Sequence, residues 1–149
     1  MNDNLKLVHE WQSLFGAGGR HVVSETPKII EQDLAIIRAI FLDEEVLEYL
    51  KANQEGDLVE VLDALVDLQY FLNGQIVIHG LHHIFDKAFK IVHDSNMSKA
   101  GEDGNPILRQ DGKILKGPNY WKPTEKLAEL LNGKVKMKTI DDCPPMNPK

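Results

Sequence analysis

The chain has 149 residues, of which 42% are hydrophobic and 27% charged, and its formal net charge is −6. These values are ordinary for one globular domain, exclude intrinsic disorder over most of the chain, and argue against a protein that binds duplex nucleic acid. We expect no membrane partner, because no stretch reaches about 18 apolar residues, and no signal peptide precedes the first predicted helix. A single cysteine, Cys143, fits a reducing, cytoplasmic compartment.

Four main helices are predicted in the first hundred residues. Apolar residues at helical spacing place them at about Asp3–Phe15, Pro27–Asn53, Leu58–Ile78 and Leu81–Lys99. Asp3 and Asp57 are the expected N-caps of the first and third helices, and Gly16 and Gly56 are expected to end the first and second. The predicted fold class is therefore all-α, a bundle of four main helices.

The chain changes character after Ala100. Apolar pairs on either side of Asp111-Gly112 predict a short hairpin over Ile107–Lys116. Thr124 is expected to cap a small final helix that ends at Gly133. Residues 1–140 are predicted to form the domain, and residues 141–149, with three prolines, a flexible tail.

The second helix carries three glutamates on the face that should be buried. Its apolar stripe is formed by Ile30, Leu34, Ile37 and Phe41. At about 100° per residue, Glu45 and Glu48 continue this stripe, and Glu44 lies on its shoulder. These acids are therefore predicted to point toward the core. The alternative is that the helix rotates and exposes them to solvent.

The third helix is apolar nearly all round, so we expect it to be central and buried. Within it, Asp63 and Asp67 are four residues apart and share a face. Buried carboxylates that repel one another are tolerable only in a wet cleft or beside cations. Oxygen ligands without Cys or His favour a hard ion, so Mg²⁺, or else Mn²⁺, is the predicted cofactor.

The end of the fourth helix and the hairpin add donors and positive charge. Asn96 and Lys99 extend the apolar stripe of the fourth helix, and Lys113 and Lys116 follow on the hairpin. Metal-binding acids combined with amide and ammonium groups suit a polyphosphate ligand. Taken alone, Lys99 could equally be a lysine that extends its charge into solvent from a helix end.

Three histidines near the end of the third helix have metal-ligand spacing. His79, His82 and His83 straddle Gly80, where a turn between helices is expected. A structural role is favoured over a metal site, because ligands on two sides of a turn need not converge.

The ordered motifs resemble the all-α nucleoside triphosphate pyrophosphohydrolases, the superfamily of MazG-like proteins, dimeric dUTPases and phosphoribosyl-ATP pyrophosphohydrolase. The resemblance covers roughly residues 5–131 and rests on residues 42–48 (LDEEVLE), 63–70 (DALVDLQY), 92–99 (VHDSNMSK) and 111–118 (DGKILKGP), together with Gly74 and Gly80. The last two segments are similar to a narrower MazG-like subgroup of predicted phosphohydrolases.

One departure from the family pattern concerns the third helix. The second family motif is Glu-x-x-Asp, and if Asp67 is its aspartate, Ala64 stands where the glutamate should be. Asp63 could substitute for it. Glu60 and Asp63 match the spacing literally, but the residues that follow favour the frame that contains Asp67.

The resemblance implies Mg²⁺-dependent hydrolysis of a nucleoside triphosphate to a monophosphate and pyrophosphate, by a homodimer or homotetramer. It implies Glu45 as catalytic base, with Glu44, Glu48, Asp63 and Asp67 as further metal ligands beside it. It implies that the outer phosphates are bound by Lys99, Lys113 and Lys116, and that Asn96 donates a hydrogen bond to a phosphate or sugar. Trp11 and Gln12 could meet the base, although core packing also explains Trp11.

Two alternatives to this function stay open at the level of sequence. One is a non-enzymatic helical module that dimerises through apolar faces and keeps its acids in solvent. The other is a metal-dependent phosphohydrolase that acts on a different phosphate ester.

Overall fold

The structure, a computed structural model, describes residues 1–16 and 22–133. The helices in this part are α1 (Asp3–Phe15), α2 (Gln32–Glu55), α3 (Leu58–Ile78), α4 (Phe85–Met97) and α5 (Thr124–Leu131). The described residues contain no strand, so the all-α prediction is confirmed. Two units are distinguished, Met1–Asp86 and Lys87–Lys149. The predicted tail at 141–149, with Cys143, lies outside the described residues.

The first and third helices have the predicted bounds. Asp57 caps α3 as expected, because its side chain accepts hydrogen bonds from the backbone N–H groups of Val59 and Glu60. Gly56 ends α2 with a left-handed φ of 73°. The cap of α1 was predicted wrongly: Asn2, one residue before Asp3, accepts the hydrogen bond from the N–H of Leu5.

The second helix begins at Gln32, five residues later than predicted from Pro27. Tertiary hydrogen bonds explain the difference. The N–H of Lys28 donates to the carbonyl of His79 at 3.0 Å, and the His79 ring lies 2.9 Å from the carbonyl of Lys28. These bonds hold the segment before α2 against the end of α3, so its backbone groups are not free to enter a helix.

The fourth helix begins at Phe85 rather than at Leu81. Gly80 takes a left-handed φ of 68°, and the N–H of Leu81 turns back to the carbonyl of Ile76 at 2.9 Å. Leu81 then packs against the core of the first unit. Leu81 therefore fits the apolar stripe of a helix although residues 81–84 form a turn.

Gly80 is required both by its backbone angle and by its neighbours. A Cβ at this position would overlap the carbonyl of Thr26. We expect Gly80→Ala to lower the free energy of unfolding by about 2–5 kcal/mol, through left-handed strain plus overlap with backbone that cannot yield. Gly56→Ala is the matched control, because its φ is similar but no atom lies within 4 Å. Equal losses in urea denaturation of the two variants would contradict the close approach of Thr26.

The core of the first unit lies where α1 meets the end of α3. Leu5, Ile76 and Val77 form its centre, and Val23, Leu81 and Phe85 pack around it. Arg38 of α2 is also buried, and a Cβ on Gly74 of α3 would overlap its guanidinium. The lack of a side chain at Gly74 thus leaves room for the guanidinium of Arg38, the only buried Arg or Lys among the described residues.

The prediction that α3 is buried throughout is wrong for its first half. Leu58 is 79% exposed and Leu62 63%, whereas Ile76, Val77 and Ile78 are buried. α3 packs against α2 and α1, and two helices cover only part of an all-apolar surface. The exclusion of a membrane-spanning stretch was also too strong, because α3 is long and apolar enough to cross a membrane by length and composition alone. Its packing against two helices is equally typical of a core helix.

A backbone bridge in the hairpin and a side-chain hydrogen bond from α4 stabilise the second unit. Leu108 and Ile114 form an antiparallel bridge, and Gly112 has a left-handed φ of 81°, so the predicted reversal at Asp111-Gly112 is confirmed. Ser95 of α4 donates to the carbonyl of Trp121 at 2.8 Å. The predicted cap of α5 is wrong: Thr124 is its first residue, and Pro123 precedes it without a side-chain cap.

Candidate active site

The acids of α2 and α3 converge on Glu45. Burial raises the pKa of the Glu45 carboxyl, and the negative charges of Glu48, Asp67, Asp63 and Glu44 raise it further. The two helices pack side by side, which brings Asp63 and Asp67, 18 and 22 positions from Glu45 in sequence, within electrostatic range of it. The structure therefore places the other four acids that the sequence singled out within electrostatic range of Glu45.

Glu45 is the member of this acid cluster with the most distinctive surroundings. It is half-buried, and its Oε2 is shielded from solvent without a hydrogen-bond partner among the described residues. A carboxylate oxygen deprived of water and of donors is costly, and a cation or a proton is what relieves that cost. Asp67 is also half-buried, whereas Glu44, Glu48 and Asp63 are exposed. The prediction that the acids of α2 point toward the core is therefore wrong for Glu44 and Glu48, because α2 packs mainly against one helix, α3, which covers only part of its surface.

The two frames proposed for the acids of α3 differ in their relation to Glu45. Asp63 and Asp67 both act on the Glu45 carboxyl, and Glu60 is not among the charges that shift its pKa. The N–H of Glu60 instead bonds to the Asp57 cap in the first turn of α3. Ala64 is buried. This arrangement favours the frame with Asp67, with Asp63 beside the buried alanine.

The predicted phosphate-binding residues belong to the second unit. The Lys99 ammonium donates to the Asn96 side chain at 2.8 Å, so these two form one local group at the end of α4. Lys116 lies 4.6 Å from the centroid of the Tyr120 ring. The backbone N–H of Lys113 bonds to Asp111 in the hairpin turn. Contact of these residues with phosphate stays a prediction.

The two residues of α1 proposed to meet a base have different surroundings. Trp11 is 37% exposed, and its ring contacts those of Phe15 and Tyr70. Gln12 is buried, close to Gly74 and to Arg38. Both residues have packing roles, and contact with a base stays a prediction.

A cavity between α1 and α3 contains residues that the sequence reasoning did not select. It has a volume of about 340 Å³ and is lined by Asn4, Leu7, Val8, Leu65, Val66, Gln69, Tyr70 and Asn73. Its size and mixed apolar and amide walls are within the range of small-molecule sites. Gln69 donates to Asn73 at 2.9 Å. In the sequence, these two amide side chains one turn apart in an apolar helix could have indicated the cavity.

A family model and several chains of known structure match this protein. The family model for phosphoribosyl-ATP pyrophosphohydrolase matches residues 9–96, more than half of the chain. No match was found among curated proteins. Thirteen chains of known structure match. One of them, from Exiguobacterium sp. 255-15, has a provisional assignment as an NTP pyrophosphohydrolase. It is 26% identical over 87% of this chain and 93% of its own, with a TM-score of 0.47.

The matched range contains α2, α3 and every acid of the cluster. It confirms the resemblance read from the ordered motifs, and it favours an enzyme over a non-enzymatic dimerisation module. The chain belongs to the phosphoribosyl-ATP pyrophosphohydrolase family and is a pyrophosphohydrolase.

Proposed function

We propose that this protein hydrolyses a nucleoside or deoxynucleoside triphosphate to a monophosphate and pyrophosphate, with Mg²⁺ as cofactor. The observation that carries the proposal is that four carboxylates act electrostatically on Glu45, whose buried Oε2 has no hydrogen-bond partner in the described part of the chain. We also propose a role in the upkeep of the cytoplasmic nucleotide pool.

The chemistry of the donor set fits Mg²⁺, with Mn²⁺ as an alternative. The acid cluster offers only carboxylate oxygens, which hard divalent cations prefer. Burial raises the pKa of Glu45 and the charges of the other members raise it further, so a cation among them would remove an existing cost. Glu44, Glu48, Asp63 and Asp67 would hold the ion together with Glu45. When bound, Mg²⁺ would polarise the phosphoryl oxygens and offset their charge.

Glu45 is the best candidate for the group that accepts a proton from the attacking water. A general base works best when its pKa lies near the operating pH. Burial, the largest cause of the raised pKa of Glu45, moves it in that direction and persists when a cation offsets the repulsion of the neighbouring acids. Its half-buried position also limits competing hydration of the carboxylate. The exposed acids of the cluster lack this burial.

The basic residues are assigned to the outer phosphates of the substrate. Lys99, Lys113 and Lys116 supply positive charge, and Asn96 supplies an amide that could reach a phosphate or sugar. The contact between Lys99 and Asn96 supports their acting together. Trp11 is proposed to stack on the base, with Gln12 as an amide contact.

A second copy of the chain is proposed to cover the exposed apolar surface of α2 and α3. This surface is formed by Ile36, Ile40, Leu47, Leu50, Leu58, Val59, Leu62, Leu65 and Val66. So many large apolar side chains in solvent mark an interaction surface. We expect light scattering after gel filtration to give two or four times the 16.8 kDa mass of the chain. A monomeric mass at micromolar concentration would contradict a homo-oligomer.

The proposed activity is tested with a panel of canonical and modified nucleoside triphosphates. We expect pyrophosphate release from at least one of them in the presence of Mg²⁺, loss of release with a chelator, and recovery when Mg²⁺ is restored in excess. Mg²⁺ alone should raise the melting temperature, since it binds only the folded acid cluster. Activity that is insensitive to chelation would contradict the metal role, and turnover of phosphomonoesters alone would favour the alternative phosphohydrolase.

A further inference from the structure

A second group of metal-ligand side chains lies in the first unit, apart from the acids of α2 and α3. His9 of α1, Glu25 in the segment before α2 and His82 in the turn before α4 each offer one ligand atom, and these atoms lie within 4.8 Å of one another. The Glu25 carboxylate stands between the two rings: Oε1 is 3.7 Å from His9 Nε2, and Oε2 is 3.7 Å from His82 Nε2.

The environment of His82 is an independent indication of a ligand. Its side chain is fully buried, and neither ring nitrogen has a hydrogen-bond partner among residues 1–16 and 22–133. The 3.7 Å distance to Glu25 is longer than a hydrogen bond. Buried imidazole nitrogens ordinarily make hydrogen bonds, because a buried nitrogen without one has lost its bonds to water and gained none in exchange. A bond from one nitrogen to a cation at Glu25 would remove part of this cost.

We propose that His9, Glu25 and His82 bind one Zn²⁺ ion, at a site distinct from the acid cluster. Two imidazole nitrogens and one carboxylate oxygen form a ligand set that zinc uses, with a fourth position left for water or another donor. Bonds of about 2.0–2.1 Å in a tetrahedron place neighbouring ligand atoms about 3.3 Å apart. The three ligand atoms lie within 4.8 Å of one another, so their separations need to contract by no more than about 1.5 Å.

The surroundings of the three ligands support this assignment. His83 Nε2 lies 3.2 Å from Glu25 Oε2 and so orients the carboxylate, as outer groups do at metal sites. His79 is not a member of the site, because its ring is engaged by the carbonyl of Lys28.

The ion would connect three separate parts of the first unit. His9 is on α1, Glu25 precedes α2, and His82 follows α3. An ion that binds all three only in the folded chain stabilises the fold in proportion to its affinity. We therefore assign the site a structural function: it fastens the turn between α3 and α4 to α1.

Zinc binding is measured on the full chain after treatment with a chelator, by titration with Zn²⁺ against a chromophoric competitor. We expect one tight equivalent that raises the melting temperature. Co²⁺ in its place should give the strong visible absorption of four-coordinate cobalt with nitrogen ligands. His9→Gln and Glu25→Gln should each weaken this equivalent by more than about tenfold, since even outer-sphere substitutions cost 10–100-fold. Both residues are partly or fully exposed, so neither change threatens the core.

Two controls separate this site from other sources of zinc binding. His93→Gln, on the exposed surface of α4, should keep the tight equivalent. Asp67→Asn should keep it too, because the acid cluster contributes no ligand to it. The proposal is overturned if the wild-type chain binds no tight equivalent, if His9→Gln and Glu25→Gln bind zinc as the wild type does, or if Asp67→Asn removes the equivalent.

Discussion

Replacing Asp67 with asparagine should reduce turnover by more than about 100-fold and abolish stabilisation by Mg²⁺. An amide keeps the shape of the side chain but loses the charge that holds the ion, and even changes outside the ligand set of a metal site cost 10–100-fold. The apo protein should remain folded, because Asp67 is one of several acids that repel Glu45. Turnover and Mg²⁺-dependent melting are the measurements.

Glu60→Gln is the matched control for this change. Glu60 lies two turns earlier on the same helix, is exposed, and does not influence Glu45. We expect it to keep most of the activity. Asp63→Asn, measured in parallel, should resemble Asp67→Asn if Asp63 stands in for the glutamate that Ala64 replaces. An inactive Glu60→Gln beside an active Asp67→Asn would show that the other frame of the motif is the functional one.

Replacing Glu45 with glutamine should have opposite effects on activity and on stability. Turnover should fall by about 10²–10⁴, the usual contribution of a general base. Without divalent cations at neutral pH, the melting temperature should rise, because the substitution removes a half-buried charge that four other acids oppose. Glu10→Gln, exposed on α1 and outside the acid cluster, should change neither.

The gain in stability from Glu45→Gln should depend on pH in a defined direction. The raised pKa of Glu45 means that the folded chain binds this proton more tightly than the unfolded chain does. The stabilisation from the protonated carboxyl is fully present below the unfolded pKa of about 4.3 and is lost as pH rises through the folded pKa. The variant should thus exceed the wild type at pH 7 and match it near pH 4. A constant difference over this range would contradict the assignment.

The helices that sequence patterns placed correctly are those that local signals determine. α1 and α3 have their predicted bounds because caps and glycines lie beside them in sequence, at Asn2, Gly16, Asp57 and Gly80. The starts of α2 and α4 were misplaced because they depend on tertiary hydrogen bonds and packing between residues about 50 positions apart, such as Lys28 with His79. Helical periodicity carries no information about such contacts.

The candidate active site divides in the same way. Glu45 and Asp67 could be selected because carboxylates on an apolar stripe conflict with burial, and that conflict is visible in one sequence. Glu44, Glu48 and Asp63 were selected by the same reasoning but are exposed. That the acids of α3 lie near Glu45 could not be predicted, because it depends on how α2 packs against α3. His82 was considered only together with its sequence neighbours, whereas its partners in space, His9 and Glu25, lie more than 50 positions away.

Product identification by phosphorus NMR, for the triphosphate that is turned over fastest with Mg²⁺, tests the central claim most directly. Hydrolysis at the acid cluster predicts that nucleoside monophosphate and pyrophosphate appear together, in equal amounts and from the first time point. Orthophosphate with nucleoside diphosphate, or release of orthophosphate alone, would contradict a pyrophosphohydrolase.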